Sequence, residues 1–214
     1  MKFSIKKLVL ACSLVLPTIT SANTDYASEA ATAPSAAMFI HKFIADGDIG
    51  QCKDAASFMG TSYTPLGIWN PEVRLDTDSR AGGCQQGFAI LDPKNELSGL
   101  YLKVNFRPDG RGQCDNSGEK IIPVVSSPSY LNIPTYRVDT DSRAGGCLVT
   151  FSIEGRSDIA LDINFRADGD AGQCNAADGV GMHTVTEGHA VTLRYDMDSR
   201  PGGCRQKFRL RKLY

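Results

Sequence analysis

Two stretches of the chain alternate between apolar and polar residues with a period of two. Leu, Val and Phe take every second position over 100–106, and Ile, Leu and Phe do so over 159–165. This period predicts strands with one buried face. Residues 38–44 blur the pattern, because His41 stands where the other two stretches have Val104 and Ile163.

Further apolar pairs at period two follow in each third of the chain, and Gly-rich turns separate the runs. The pairs are Phe88/Ile90, Phe151/Ile153 and Phe208/Leu210. No stretch has sustained helical periodicity, and the fold class is therefore predicted to be all-β.

Two motifs recur three times each. The first reads ADGDIGQC (45–52), PDGRGQC (108–114) and ADGDAGQC (167–174). The second reads RLDTDSRAGGC (74–84), RVDTDSRAGGC (137–147) and RYDMDSRPGGC (194–204). Because the first two copies of the second motif differ at one of eleven positions, the chain is predicted to contain three repeats, at 38–98, 99–157 and 158–214.

Repeats of about 58 residues leave two architectures open. One is a single β domain with pseudo-threefold symmetry, and the other is three small β-sandwich modules in tandem. We favour the single domain, because a unit of this size buries little core alone.

The first 22 residues have the features of a secretory signal peptide. Lys2, Lys6 and Lys7 precede an apolar run, and Ala22 ends a segment of small residues suited to cleavage. An alternative is a lipoprotein attached at Cys12. Residues 23–37 are predicted to be a flexible lead-in, no transmembrane segment is expected, and the protein is predicted to be secreted or periplasmic.

The charge balance argues against nucleic acid as the partner. The whole chain has a net charge of −1, and removing 1–22 takes three of its 23 basic residues, which leaves 20 against 24 acidic ones. Nucleic-acid binders need a basic surface.

Loss of Cys12 with the signal peptide would leave six cysteines, an even number that indicates three disulfides in an exported protein. If each repeat is a structural copy, the pairs are Cys52–Cys84, Cys114–Cys147 and Cys174–Cys204. The competing arrangement joins neighbouring repeats, as Cys84–Cys114, Cys147–Cys174 and Cys52–Cys204.

The second motif, taken at period two, forms a row of alternating charge in each repeat. Guanidinium and carboxylate groups together suit sugar hydroxyls or a charged group on a protein. The competing interpretation is a structural ladder in which each Asp pairs with a neighbouring Arg. The candidate ligand-binding residues are Arg74, Asp76, Asp78, Arg80, Arg137, Asp139, Asp141, Arg143, Arg194, Asp196, Asp198 and Arg200.

The Asp-Gly loops of the first motif raise the question of calcium. Asp46 and Asp48 flank a glycine, as in hard-cation loops, and the within-repeat disulfide would bring Asp76 and Asp78 near the same loop. Asx turns explain the Asp-Gly residues without an ion. The second copy carries Arg111 instead of a carboxylate. We therefore expect no calcium site and no other cofactor.

Catalytic motifs such as GxSxG and HExxH do not occur, and the three histidines (His41, His183 and His189) form no recognisable pattern. The sequence therefore predicts an exported, lectin-like, non-catalytic protein that binds a glycan or a protein partner. The alternatives are an inhibitor or defensive protein acting through an irregular loop at 55–70, and a purely structural stapled scaffold.

Overall fold

The computed structural model of the chain describes residues 36–47, 52, 58–76, 82–110, 118–137, 145–169, 174, 180–196 and 202–214. All of them belong to one compact unit, Ala33–Tyr214. The signal peptide and most of the lead-in lie outside the described residues and stay predictions. The repeat boundaries are likewise a prediction that the structure does not test.

The described residues form strands and no α-helix, and the all-β prediction is confirmed. In chain order the strands are β1 (Met38–Gly47), β2 (Gly60–Pro65), β3 (Val73–Asp76), β4 (Gly82–Leu91), β5 (Tyr101–Gly110), β6 (Gly118–Ile121), β7 (Val124–Val125), β8 (Thr135–Arg137), β9 (Gly145–Glu154), β10 (Ile159–Gly169), β11 (Gly181–Val185), β12 (Val191–Asp196) and β13 (Gly202–Lys212). A short 3-10 turn at Pro128–Tyr130 precedes β8.

Three sheets are each built on one long antiparallel pair. Sheet A has the order β2-β1-β4. β7 and β8 pair with different parts of the remaining edge of β4, β7 at Ile90 and Leu91 and β8 at residues 85–87. Sheet B has the order β11-β10-β13-β3, and sheet C has the order β12-β9-β5-β6. In each long pair the Asp-Gly of the first motif lies opposite the Gly-Gly of the second, as Asp168 does opposite Gly203.

A short strand from elsewhere in the chain completes each sheet. β3 pairs with β13 in sheet B, β8 pairs with β4 in sheet A, and β12 pairs with β9 in sheet C. Each of these strands is the segment that begins the second motif. Within each sheet, backbone hydrogen bonds therefore join a short strand to a long strand from a different predicted repeat, and these pairings form a cycle through the three repeats.

The core lies where the inward faces of the three sheets meet. Phe88 of β4, Phe151 of β9 and Phe208 of β13 contact one another, with ring centroids 5.3–5.7 Å apart. All three rings are buried, as their period-two positions predict. Aromatic pairs at this distance add about 0.5–1.5 kcal/mol each beyond the area they bury.

The outer face of sheet A is covered by residues 124–135. Ile40, Ala89 and Leu91 point outward from β1 and β4, and they pack beneath a lid that includes Val125, Leu131 and Ile133. The lid approaches the sheet most closely at Gly87, where a Cβ atom would lie 2.5 Å from the Pro134 carbonyl oxygen.

We expect Gly87→Ala to destabilise the protein by about 1–3 kcal/mol, because the added methyl group forces the lid away from the sheet. Chemical denaturation of the variant measures this loss. Ser126→Ala, an exposed change in the same segment, is the control and should alter stability by less than about 0.5 kcal/mol. Equal stability of the two variants would contradict this packing.

Two disulfides, Cys52–Cys84 and Cys174–Cys204, agree with the predicted pairing. Cys147 is also disulfide-bonded. Cys114 lies outside the described residues, so the pair Cys114–Cys147 stays a prediction. The shifted arrangement is wrong in all three of its pairs, because each pair contains a cysteine of one of these two observed bonds.

Two predictions need correction. The segment 55–70 is not an irregular loop, because Gly60–Pro65 is strand β2, paired with β1. Asp76, expected beside the first-motif loop of its own repeat, instead lies next to Gly203 in sheet B. The reason for the second error is that β3 pairs with β13 and not with β4.

The described part of the chain offers no helical segment with the length and hydropathy that a membrane crossing requires.

Candidate functional site

The first arginine of each predicted row lies on a different sheet. Arg74 is on β3 in sheet B, Arg137 on β8 in sheet A and Arg194 on β12 in sheet C. All three side chains are partly exposed. Since β3, β8 and β12 each pair with a single neighbour, every sheet carries one row arginine on an edge strand.

The residues beside these arginines point into the core, as the period of two predicts. Val73 and Leu75 flank Arg74 and are fully buried, and Leu193 and Tyr195 do the same around Arg194. Asp76 and Asp196 end their strands, and only their backbone is described. The other row residues lie outside the described residues: Asp78, Arg80, Asp139, Asp141, Arg143, Asp198 and Arg200.

Sheet B has a second polar constellation, centred on Asp162 of β10. Arg209 donates to Asp162 Oδ2 through Nε at 2.9 Å and through a terminal nitrogen at 2.7 Å. Arg211 Nε donates to the same oxygen at 2.7 Å, and Thr184 Oγ1 donates to Oδ1 at 2.9 Å. Two guanidinium groups thus share one buried carboxylate.

Burial would raise the pKa of Asp162, but hydrogen bonds from Arg211, Arg209 and Thr184 outweigh it and hold the pKa below its usual value. Asp162 is therefore ionised at neutral pH. One carboxylate against two guanidinium groups leaves one positive charge in excess, and each arginine side chain keeps 31% of its surface exposed.

The same outward face continues to the far end of sheet B. Arg166 binds Glu72 in a bidentate pair, with nitrogen–oxygen distances of 3.1 and 2.7 Å. Arg205, opposite Arg166 in the strand register, lies 3.4 Å from the same carboxylate. Glu72 is thus also shared by two arginines.

Trp69 lies over the middle of this face. Its ring centroid is 4.6 Å from the Arg209 guanidinium carbon and 5.2 Å from Lys207 Nζ. Backbone hydrogen bonds from Gly67 to Leu210 and from Asn70 to Phe208 hold the segment along β13.

A surface groove of about 620 Å³ opens beside Arg209 and Arg211. Pro65 and Leu66 form an apolar wall, and Lys212 contributes a further cation that is paired with Glu96, another lining residue, at 2.9 Å. Such a site, apolar with a few convergent polar groups, is the kind that small ligands and sugar rings occupy.

His41, the outlier of the first strand, lies in the core. It stacks on Phe88 with centroids 5.1 Å apart and meets the edge of Phe208 at 5.3 Å. Asn70 Nδ2 donates to Nδ1 at 2.9 Å, so the ring hydrogen is on Nε2. Within the described residues, Nε2 is buried and has no hydrogen-bond partner.

Polar side chains continue from His41 through the core. Gln86 lies beside the ring and accepts a hydrogen bond from Gln206, which accepts one from Tyr195. Burial lowers the pKa of His41 from 6.5 to about 4, and the Gln86 amide opposes this shift only in part. The imidazole is therefore neutral at physiological pH.

The remaining histidines and the residue types that ligate metals do not cluster in the described part of the chain. Over the described ranges, no three His, Cys, Asp or Glu side chains come together as a metal site would require. His183 lies on β11 opposite Ile163, and His189 lies in the turn that it forms with Thr186.

The sequence reasoning did not identify the Asp162 cluster. A signal for it exists, because Arg205, Lys207, Arg209 and Arg211 occupy alternate positions near the end of the chain. Their common face is visible once that segment is taken as a strand. The assignment of Asp162 as their partner requires the register between β10 and β13.

Comparison with known proteins adds no assignment: no family model matches the chain, and searches of curated proteins and of solved structures return no match.

Proposed function

We propose that this is an exported, non-catalytic binding protein whose Arg-Asp-Asp-Arg rows bind a glycan or a protein partner. The observation that carries the proposal is the position of Arg74, Arg137 and Arg194. Each lies on an edge strand of a different sheet, with its side chain partly exposed. The described neighbours, on both sides of Arg74 and Arg194 and on one side of Arg137, are buried. Three similar polar rows on one domain suit a multivalent ligand.

The architecture that we propose with this function is one closed domain with pseudo-threefold symmetry, built from the three predicted repeats. The cyclic pairing of β3, β8 and β12 with long strands from other predicted repeats supports it. The shared Phe88–Phe151–Phe208 cluster supports it as well. Three separate sandwich modules would bury their own cores and would not exchange strands.

Export to the periplasm or the medium is part of the proposal. Its supports are the apolar N-terminal segment and the disulfides, which persist in oxidising compartments.

The test uses Arg80, Arg143 and Arg200, the last arginine of each row. If the rows bind ligand, the triple change to Ala should weaken binding on a glycan array much more than any single change, because linked sites gain by avidity. The melting temperature should stay nearly unchanged.

Lys94→Ala with Lys120→Ala is the control, since both residues are outside the motifs. A sharp fall in the melting temperature of the triple variant would instead assign the rows to the scaffold. The structural ladder would then replace the binding function.

An inhibitory or defensive function through segment 55–70 is the second candidate. Tyr63 and Ile68 favour it, because their side chains are 52% and 58% exposed although both are large and apolar. This candidate requires the two side chains to belong to one contiguous apolar patch, since such patches mark protein interfaces and single exposed apolar residues do not.

A further inference from the structure

The outward face of sheet B is strongly basic in a chain that is slightly acidic overall. We call this surface the cationic face and define it by Arg166, Arg205, Lys207, Arg209 and Arg211. Among the described residues, Glu72 and Asp162 are the carboxylates that contact it. Each of these two carboxylates is shared by two arginines, and Lys207 is a fifth cation, so cations predominate among the described groups of this face, whereas the whole chain has a net charge of −1.

The cations are held in a regular array. Arg205, Lys207, Arg209 and Arg211 alternate along β13, so neighbours are about 7 Å apart and the array spans roughly 20 Å. Asp162 and Glu72 fix four of the arginines by hydrogen bonds. Fixed side chains lose less conformational entropy when they bind an extended ligand.

The indole ring of Trp69 is already in contact with two cations of the array, so it is not an open surface on which a base could stack. Lys207 and Arg209 already lie against the ring. Proteins that bind single-stranded nucleic acid use successive open aromatic faces, and Trp69 is the only tryptophan of this chain.

The groove next to Arg209 and Arg211 is a concave surface in which one sugar ring could lie. The apolar faces of sugar rings can pack against Pro65 and Leu66 while anionic substituents reach Arg209 and Arg211. Lys212, also in the lining, is paired with Glu96 at 2.9 Å. The cationic face and this groove are continuous, because both include Arg209 and Arg211.

We propose that the cationic face binds an anionic polysaccharide, a chain of sugars carrying sulfate, phosphate or carboxylate groups. The array supplies the complementary charge, and the groove supplies a site for a sugar ring. The cationic face adjoins one of the rows, because Arg74 of β3 lies opposite Arg205 in the strand register. The last arginines of the rows are not among its residues, and the proposal is carried by the cations of β13 and Arg166, not by the function proposed for the rows.

The experiment measures heparin binding by the full chain at several salt concentrations. Lys207→Glu with Arg166→Gln removes three units of charge and leaves both arginines on the buried Asp162 in place. We expect a Kd at least about tenfold higher near 0.15 M salt, which is about 1.4 kcal/mol. The slope of log K against log salt should fall by about two, one for each lost contact.

The matched control is Lys120→Glu with Arg107→Gln in sheet C, which changes the net charge equally. Its Kd should stay within about twofold of the wild type, since only long-range electrostatics change. Lys207→Gln alone is the milder variant, and about threefold weaker binding is expected if it acts through one exposed contact. The melting temperature of every variant is measured alongside.

Four results would overturn the proposal. One is absence of heparin binding by the wild type at low salt, and another is an equal loss in the sheet C control. The third is tighter binding of duplex DNA than of heparin with the same dependence on Lys207, which would make nucleic acid the partner. If only the Arg80, Arg143 and Arg200 variant loses heparin, binding belongs to the rows and not to this face.

Discussion

Replacement of Cys52 and Cys84 together by serine is expected to destabilise the folded protein by about 3–4 kcal/mol. The bond joins residues 32 positions apart. In the loop-closure model, removing it raises the conformational entropy of the unfolded chain and so stabilises the unfolded state by that free energy. For a protein of this size, a loss of that order lowers the melting temperature by roughly 10 °C. Differential scanning calorimetry of the double variant measures the effect.

Cys174→Ser with Cys204→Ser provides the comparison. Its loop spans 30 residues and should give a similar loss, because the entropy term changes slowly with loop length. A stability equal to that of the wild type in either double variant would show that the bond adds nothing. Peptide mapping without reductant tests the remaining pair, Cys114–Cys147, and any bond from Cys114 to another repeat would refute it.

Lowering the pH should reduce the free energy of unfolding, because His41 is buried in its neutral form. Burial lowers its folded-state pKa to about 4, while the unfolded value is 6.5. The unfolded chain therefore binds more protons between these values, so this contribution to stability is complete above pH 6.5 and is lost as the pH falls toward 4. We expect His41 to account for a loss of about 2 kcal/mol between pH 7 and pH 5.

His41→Phe is the control variant, because phenylalanine fits an aromatic cluster and does not titrate. Its absolute stability changes, since Asn70 and Gln86 lose a polar neighbour, but its pH profile should be flatter by the same 2 kcal/mol. Urea denaturation of both proteins at pH 7 and pH 5 gives the comparison. Parallel profiles would mean that His41 does not cause the acid sensitivity.

The strands themselves are predictable from the sequence because burial of one face imposes a period of two. Leu161, Ile163 and Phe165 are fully buried, and Arg166 beside them is exposed. The same pattern placed Phe88, Phe151 and Phe208 inward. The alternation of apolar and polar residues shows which side of a strand faces the core, and this can be predicted without knowing which strand lies next to it.

The partners of the short strands are not predictable in the same way. The short sequences at the start of the second motif contain no signal that β3 pairs with β13 or that β12 pairs with β9. Backbone hydrogen bonds are alike for every residue type, and the choice of neighbour depends on how three sheets close around one core. For this reason the assumption that Asp76 remains with its own repeat failed.

The position of His41 illustrates the same limit. Its place in a blurred apolar pattern is visible in the sequence, but the pattern alone does not distinguish a buried histidine from a break in the strand. Phe88, Phe208 and Asn70 surround the ring, and they come from three separate segments of the chain. The low pKa follows only from that enclosure.

By itself the sequence determined the all-β class and the inward residues of the long strands. The recurrence of its cysteines reduced the disulfides to two competing arrangements, and the structure selected Cys52–Cys84 and Cys174–Cys204. Each of these sequence-based predictions depends on local periodicity or on repetition along the chain. The tertiary structure decided the exchange of β3, β8 and β12, the sharing of Asp162 by Arg209 and Arg211, and the cationic face of sheet B. These features join residues far apart in the chain, and their geometry is set by packing and register, which no local pattern encodes.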